Sequence, residues 1–211
     1  MTELTRALER SLRSGPPEAT PDPSPLPDLT ETAAHAGLLD VAYATLDSPV
    51  GSLLLAATPA GLVRLAYLDG DAQDSVLAEI ARRISPRVLA APRRLDRPRR
   101  ELDEYFRGRR DRFELMLDWR LMTAFGRRVL AATAAIPYGS VSTYGDVAGR
   151  AGSPRGSRAA GNALGANPLP IVLPCHRVVP AGGGLGGYTG GLQRKQTLLE
   201  IERGEPARRL D

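Results

Sequence analysis

The chain holds one cysteine, Cys175, and two histidines, His35 and His176. The only thiol therefore stands directly beside one of the only two imidazoles. His176 can accept the thiol proton and Arg177 can favour the thiolate, and both effects lower a cysteine pKa and activate it as a nucleophile. A free cysteine in an apolar run is more often a small buried hydrophobe, and Pro170-Ile171-Val172-Leu173-Pro174 is such a strand-like run. The neighbours turn the balance towards chemistry. In an extended chain adjacent side chains diverge, so the sequence predicts that a bridging water, rather than direct contact, joins Cys175 to His176. With one cysteine, no internal disulfide and no multi-cysteine zinc site can form, and no metal or cofactor is expected.

Behind the thiol comes a loop, Gly182 to Gly191, in which seven of ten residues are glycine. Glycine lets a backbone wrap closely round a flat ligand while offering donors and acceptors. A flexible linker has the same composition. Tyr188 inside the loop and the helix predicted at once after it, Leu192–Arg203 with Leu198, Leu199 and Ile201 inward, favour a ligand loop.

These residues need elements to position them. Thr123–Ala135 reads as a helix closed by Ile136-Pro137-Tyr138-Gly139. Thr143 can cap a short helix over Tyr144–Ala151, with Asp146 three residues on. Ser153 is an N-cap candidate with Pro154 at the first helical position of a helix over Arg155–Leu164. Two short helices joined by a glycine-containing turn resemble a helix-turn-helix. The second carries Gly156, Ser157, Ala159, Ala160, Gly161 and Ala163, which suits either tight helix packing or close approach to a surface. Arg155 and Arg158 on the same element point to DNA. The net charge is only +4. From Arg120 to Ala160, however, six arginines face one acid, Asp146, so the basic excess is local.

Upstream, Val41–Leu46, Ser52–Ala57 and Leu62–Tyr67 are short apolar runs separated by Ser48-Pro49-Val50-Gly51 and Thr58-Pro59-Ala60-Gly61, the pattern of an antiparallel meander. Helical stretches follow over Ala72–Ile84 and Arg97–Arg107. Nothing in this half has catalytic spacing. Residues 1–38 form an extension, with a possible basic helix over Thr2–Arg13 and then six prolines between Gly15 and Pro27, the composition of a stiff linker. The domains expected are 1–38, 39–118 and 119–211. At 211 residues, 42% apolar and 25% charged, the chain is globular. It has no run long enough to span a membrane and no secretory signal at its start, so the cytoplasm is the expected location.

Pro174-Cys175-His176-Arg177-Val178, with Asn167-Pro168 before it and Gly187-Tyr188-Thr189-Gly190-Gly191 after it, resembles the O6-alkylguanine-DNA alkyltransferase family. Asp47-Ser48-Pro49-Val50-Gly51 and Leu102-Asp103-Glu104-Tyr105-Phe106-Arg107-Gly108 are similar to the family's N-terminal part. The resemblance implies an α/β plus α fold: a ribonuclease-H-like α/β domain with an antiparallel sheet, then a mainly helical, winged-helix-like domain with the helix-turn-helix. It implies that Cys175 accepts the alkyl group from O6 of guanine. His176 would act as base through a water, and Glu202 would orient His176. Asn167 would brace the active-site backbone. Tyr144 would turn the neighbouring phosphate and donate towards guanine N3, and Arg158 would fill the gap left by the extruded base. Pro170 and Tyr188 would wall the base, the Val178 backbone would read it, Thr189 would face O6 and Lys195 would stand beside the loop. Ser157, Ala159 and Gly161 would share the DNA contact with Arg158. The implied partner is double-stranded DNA containing O6-alkylguanine, bound by a monomer able to cluster on DNA.

Three other readings compete. A Cys–His hydrolase keeps its two residues far apart in sequence and needs an oxyanion hole. A non-catalytic protein that binds alkylated DNA and flags it for another pathway would have no use for Cys175. A regulator with a zinc-held second domain needs several cysteines.

Overall fold

The computed structural model describes residues 37–70 and 72–204, so the predicted Thr2–Arg13 helix and the proline-rich stretch lie outside the described residues. Strands β1 (Val41–Leu46), β2 (Leu53–Thr58) and β3 (Gly61–Tyr67) pair antiparallel. A fourth, β4 (Val88–Ala90), pairs parallel to β1, so the order is β3-β2-β1-β4 and the sheet is mixed. Three residues between Pro86 and Pro92 are too few to show an alternation, which is why the sequence reading has no strand there.

Both faces of the sheet are covered. Leu53, Leu55, Leu62 and Leu65 turn towards helix α2 (Asp96–Phe106) and the C-terminal half, in one continuous core. Leu54, Ala56 and Val63 turn the other way and pack on Val76 and Ile80 of α1 (Ala72–Arg83). The period-two alternation of each strand thus divides its apolar residues between two layers, and this leaves Leu53 to Ala56 all fully buried.

The C-terminal half begins with α3 (Ala124–Ala134), whose first turn is capped by Thr123 Oγ1 accepting from Gly126 N at 3.0 Å. Strand β5 (Ser142–Thr143) leads into α4 (Tyr144–Arg150) through a complete capping box: Thr143 Oγ1 accepts from Asp146 N, and Asp146 accepts from Thr143 N. The following helix, α5, runs Ser157–Gly165 and starts later than the sequence suggests. Ser153-Pro154-Arg155-Gly156 is instead a turn closed by Gly156 N donating to Ser153 O at 2.8 Å, and Pro154 takes the second turn position that its fixed φ suits equally well. Strand β6 (Val178–Val179) pairs parallel to β5, and α6 (Leu192–Glu202) closes the chain's described part, burying Leu198, Leu199 and Ile201. No helix among the described residues is long and apolar enough to cross a membrane.

The connection between halves is braced at Asp118, whose carboxylate accepts from Thr58 Oγ1 at 2.6 Å and Arg120 N at 3.1 Å. Just before it, Leu62 N donates to Met116 O and Asp118 N donates to Leu62 O. This edge pairing runs so close to Gly61 (φ +135°) that a Cβ there would lie 2.3 Å from Met116 O. Gly61→Ala should therefore destabilise the protein by about 2 kcal/mol or more, through backbone strain and overpacking together. Urea unfolding measures it, and a variant as stable as wild type would refute the close approach.

Candidate active site

The apolar run before the thiol is not a strand. Leu173 N donates to Leu169 O at 2.9 Å, and within that loop Val172 N donates to Pro170 O at 2.9 Å round Ile171, the only described non-glycine residue with positive φ (71°). Cys175 N donates to Leu173 O at 2.8 Å round Pro174 (φ −79°, ψ 64°). These are two γ-turns, the first of the rare strained kind and the second the relaxed kind. Their polar backbone is buried, so its hydrogen bonds must be met locally. Cys175–Arg177 then forms one turn of 3-10 helix. Asn167 holds the whole loop: Oδ1 accepts from Leu169 N at 2.9 Å, and Nδ2 donates to Leu173 O at 2.8 Å and to Cys175 Sγ at 3.2 Å.

The tight turn separates Cys175, which stays with Asn167, from His176 and Arg177, which both reach Glu202. Arg177, expected beside the thiol, faces Glu202 instead. Its Nε donates to Glu202 Oε2 at 2.9 Å, its Nη2 to Oε1 at 2.9 Å, and its Nη1 to Ile136 O at 2.6 Å. His176 Nε2 lies 2.7 Å from Glu202 Oε1, Tyr105 Oη donates to the same oxygen at 2.8 Å, and Gly139 N donates to Oε2 at 3.1 Å. Burial alone would raise the Glu202 pKa, but hydrogen bonds and charge from His176 and Arg177 outweigh it and bring it down to about 2. His176 is driven the other way: burial lowers its pKa, more than Glu202 restores. The pair is thus an anionic carboxylate and a neutral imidazole. Nε2 must carry the imidazole proton to donate to Glu202, which leaves Nδ1 as the basic nitrogen, buried and without a partner among the described residues.

The thiol is not activated at rest. Burial raises the Cys175 pKa, while the hydrogen bond from Asn167, the local backbone, the Lys195 charge and Tyr188 pull against it without prevailing. This corrects the expectation of a depressed pKa: burial prevails, and Arg177, expected to favour the thiolate, is bonded to Glu202 instead. Lys195, fully buried, donates from Nζ to Val178 O at 2.6 Å and to Leu185 O, tying the β6 segment to the glycine-rich loop.

Two cavities meet at Cys175. The larger, about 320 Å³, is lined by Tyr144, Gly161, Leu164, Gly165, Cys175, Gly187, Tyr188 and Thr189. The smaller, about 180 Å³, shares Leu164, Cys175, Tyr188 and Thr189 and extends past Asn167 and Pro170 to Tyr67 on β3. Thr189 Oγ1 donates to Gly165 O at 2.8 Å, which leaves its oxygen as an acceptor only. Val178 and Lys195 line neither cavity: the Val178 N–H is bonded to Cys175 O and its carbonyl to Lys195. Ser157, Arg158 and Ala159 are exposed on α5, outside both cavities, and Gly161 on the same helix packs against the Tyr144 ring. Sequence reasoning missed Tyr105 and Tyr67 as members of the site. Tyr105 carried the signal of a core residue in an amphipathic helix, and its link to Glu202 spans 97 positions.

Comparison with known proteins agrees over both halves. Residues 41–119 match the ribonuclease-like domain, and residues 124–204 the DNA binding domain, of 6-O-methylguanine DNA methyltransferase. A methylated-DNA–protein-cysteine methyltransferase of Mycolicibacterium paratuberculosis is 42% identical over 77% of this chain and 93% of its own length. One of Bacillus subtilis, described as constitutive, is 35% identical over 76% of this chain and 94% of its own. A crystal structure of Mycobacterium tuberculosis OGT in complex with DNA has a TM-score of 0.68 at 38% identity, covering 79% of this chain and 96% of that one.

The Glu202 cluster has a signature in stability. Removing its charge leaves Arg177 buried without a counter-ion, so Glu202→Gln should cost about 3–5 kcal/mol in urea unfolding. The depressed carboxylate stabilises the fold fully above its unfolded pKa near 4.5 and loses that contribution as pH falls towards 2. His176, whose folded pKa is lowered, adds a loss that begins below 6.5, where the unfolded chain takes up a proton that the fold refuses. Glu202→Gln should flatten the part of the profile below pH 4.5; an unaltered acid limb would contradict the assignment.

Proposed function

The chain belongs to the 6-O-methylguanine DNA methyltransferase family, and on that premise we infer that it repairs alkylated DNA by direct reversal, moving the alkyl group from O6 of guanine in double-stranded DNA to its own Cys175. The observation that carries this reading is the position of the Cys175 sulfur. It is held by Asn167 where two cavities meet, on the residue before a histidine whose basic nitrogen is left free.

A buried thiol with a raised pKa is protonated at neutral pH, so its proton must leave before or during attack. Neutral His176 is the base, acting from Nδ1 through a water, and Glu202 steadies the imidazolium that forms. The thiolate then displaces guanine from the alkyl carbon: a C–S bond forms, the C–O bond breaks, and the electron pair stays on the guanine oxygen. A proton donated towards the base, for which Tyr144 at the cavity wall is placed, neutralises the leaving group. The product is a thioether. With no second thiol to remove it, the protein acts once.

The target oxygen lies inside the duplex, so the nucleotide must be flipped out, at a cost of roughly a few kcal/mol for a damaged pair. The larger cavity beside α4 and α5 would receive the base. Exposed Arg158, flanked by the small Ser157 and Ala159, would enter the stack and offset part of that cost. Lys195 and the Val178 segment support the loop from behind. We assign 39–118 to a supporting domain and 119–211 to DNA binding and transfer, in a cytoplasmic protein that acts as a monomer and can cluster on DNA.

Incubation with a duplex carrying one O6-methylguanine, followed by peptide mass mapping, should find one methyl group on the Cys175 peptide, matched by stoichiometric loss of the lesion. Cys175→Ser should abolish both, and an unmethylated Cys175 in protein that still binds DNA would refute the mechanism. Arg158→Ala should slow repair of the duplex about tenfold relative to reaction with free O6-benzylguanine, since only the duplex needs the flip. Equal losses on both substrates would remove the intercalating role.

A further inference from the structure

The two cavities at Cys175 point in different directions. The larger opens beside Tyr144 and Gly161, on the helix-turn-helix side. The smaller runs away from it and ends on residues of the N-terminal sheet. One wall of this cavity is the Tyr67 side chain, and it is fixed from three directions. Its hydroxyl lies 2.7 Å from the Tyr188 hydroxyl. The Arg194 guanidinium stacks over its ring, 4.6 Å from the centroid, and is itself held by Val50 O at 2.8 Å and by the Asp69 carboxylate. On the remaining side lies Gly190, so close that a Cβ there would be 2.4 Å from Tyr67 Cε2. A wall restrained in this way does not yield easily to a larger ligand.

We propose that Tyr67, contributed by the N-terminal domain, is a specificity-determining residue that sets the largest alkyl group the site can transfer. This rests on the alkyltransferase reading given above. In a displacement at carbon, sulfur and departing oxygen lie on opposite sides of the reacting atom. If the base fills the larger cavity, the rest of the alkyl group must project sideways from the sulfur, and the smaller cavity is the space that adjoins it. A cavity of about 150 Å³ is enough for a benzene ring. The 180 Å³ here is therefore enough for a benzyl-sized group. The ring of Tyr67 narrows this compartment from the side of the N-terminal sheet, and its hydroxyl holds Tyr188, a second wall, in place.

The test compares second-order rates of full-length protein with duplexes containing O6-methylguanine or O6-(1-naphthylmethyl)guanine. Wild type, Tyr67→Ala and Tyr67→Phe are each checked for folding by thermal melting and for binding to unmodified duplex. The naphthylmethyl-to-methyl rate ratio should rise about tenfold in Tyr67→Ala, as crowding at this wall is relieved. It should rise about threefold in Tyr67→Phe, which keeps the ring and loses only the hydroxyl hold on Tyr188. A general loss of stability would slow both substrates alike and leave the ratio where it was, so an unchanged ratio in folded Tyr67→Ala overturns the proposal. Should that variant fail to fold, Tyr67→Phe decides on the same ratio. Wild type that transfers neither group overturns the functional reading itself, whereas wild type active on methyl with unmoved ratios in the variants overturns only the role of Tyr67.

Discussion

One buried carboxylate organises this molecule. Glu202, 4% exposed at the end of α6, receives hydrogen bonds from His176, Arg177, Tyr105 and Gly139. A charge taken out of water is tolerated only when it is paired and its lone pairs are filled. Each of these four donors is therefore obliged to be where it is, and together they come from three separate parts of the chain: the reactive turn, the helix α2 of the N-terminal half, and the turn after α3. Arg177 carries the constraint one step further by donating to Ile136 O. The same interaction that joins the two halves also decides which nitrogen of His176 is basic.

The reactive turn is built on the opposite principle, with local rather than distant bonds. Two γ-turns in six residues shorten the backbone so that Cys175 and Asn167, eight positions apart, come within hydrogen-bonding distance. The price is a β-branched Ile171 in the left-handed region, a conformation that costs of order 1–3 kcal/mol and persists only when its surroundings impose it. Here Ile171 is fully buried in the central core, and Asn167 bridges the loop across its two ends. The result is a thiol held in a fixed place, hard to ionise until a base removes its proton. Burial and a raised pKa together shield a thiol from unintended reactions.

The N-terminal sheet has no residue with evident catalytic spacing, yet it is part of the site. Leu65 N donates to Pro168 O at 2.8 Å, Tyr67 meets Tyr188, and Arg194 of α6 reaches back to Val50 and Asp69. These contacts seat the glycine-rich loop against β3, so a loop that is permissive in composition is restrained in the fold.

Much was legible in the sequence because it is written locally. The uniqueness of Cys175 and its adjacency to His176, the capping box of Thr143 and Asp146, the turn signals between β1, β2 and β3, and the inward face of α6 depend on residues a few positions apart, where propensity, capping and periodicity act. Local rules also misled where two of them compete: Pro154 suits a turn as well as a helix start, and an apolar run rich in branched residues imitates a strand when flanking prolines fold it into γ-turns. Other features were decided by the tertiary structure alone. That Arg177 turns to Glu202, that Tyr105 completes the carboxylate cluster, and that Tyr67 walls a cavity reaching Cys175 and bonds Tyr188 all depend on partners 25 to 121 positions apart. Such pairings leave no mark on periodicity, because a buried charge or hydroxyl is satisfied by whichever donor the packed chain brings to it.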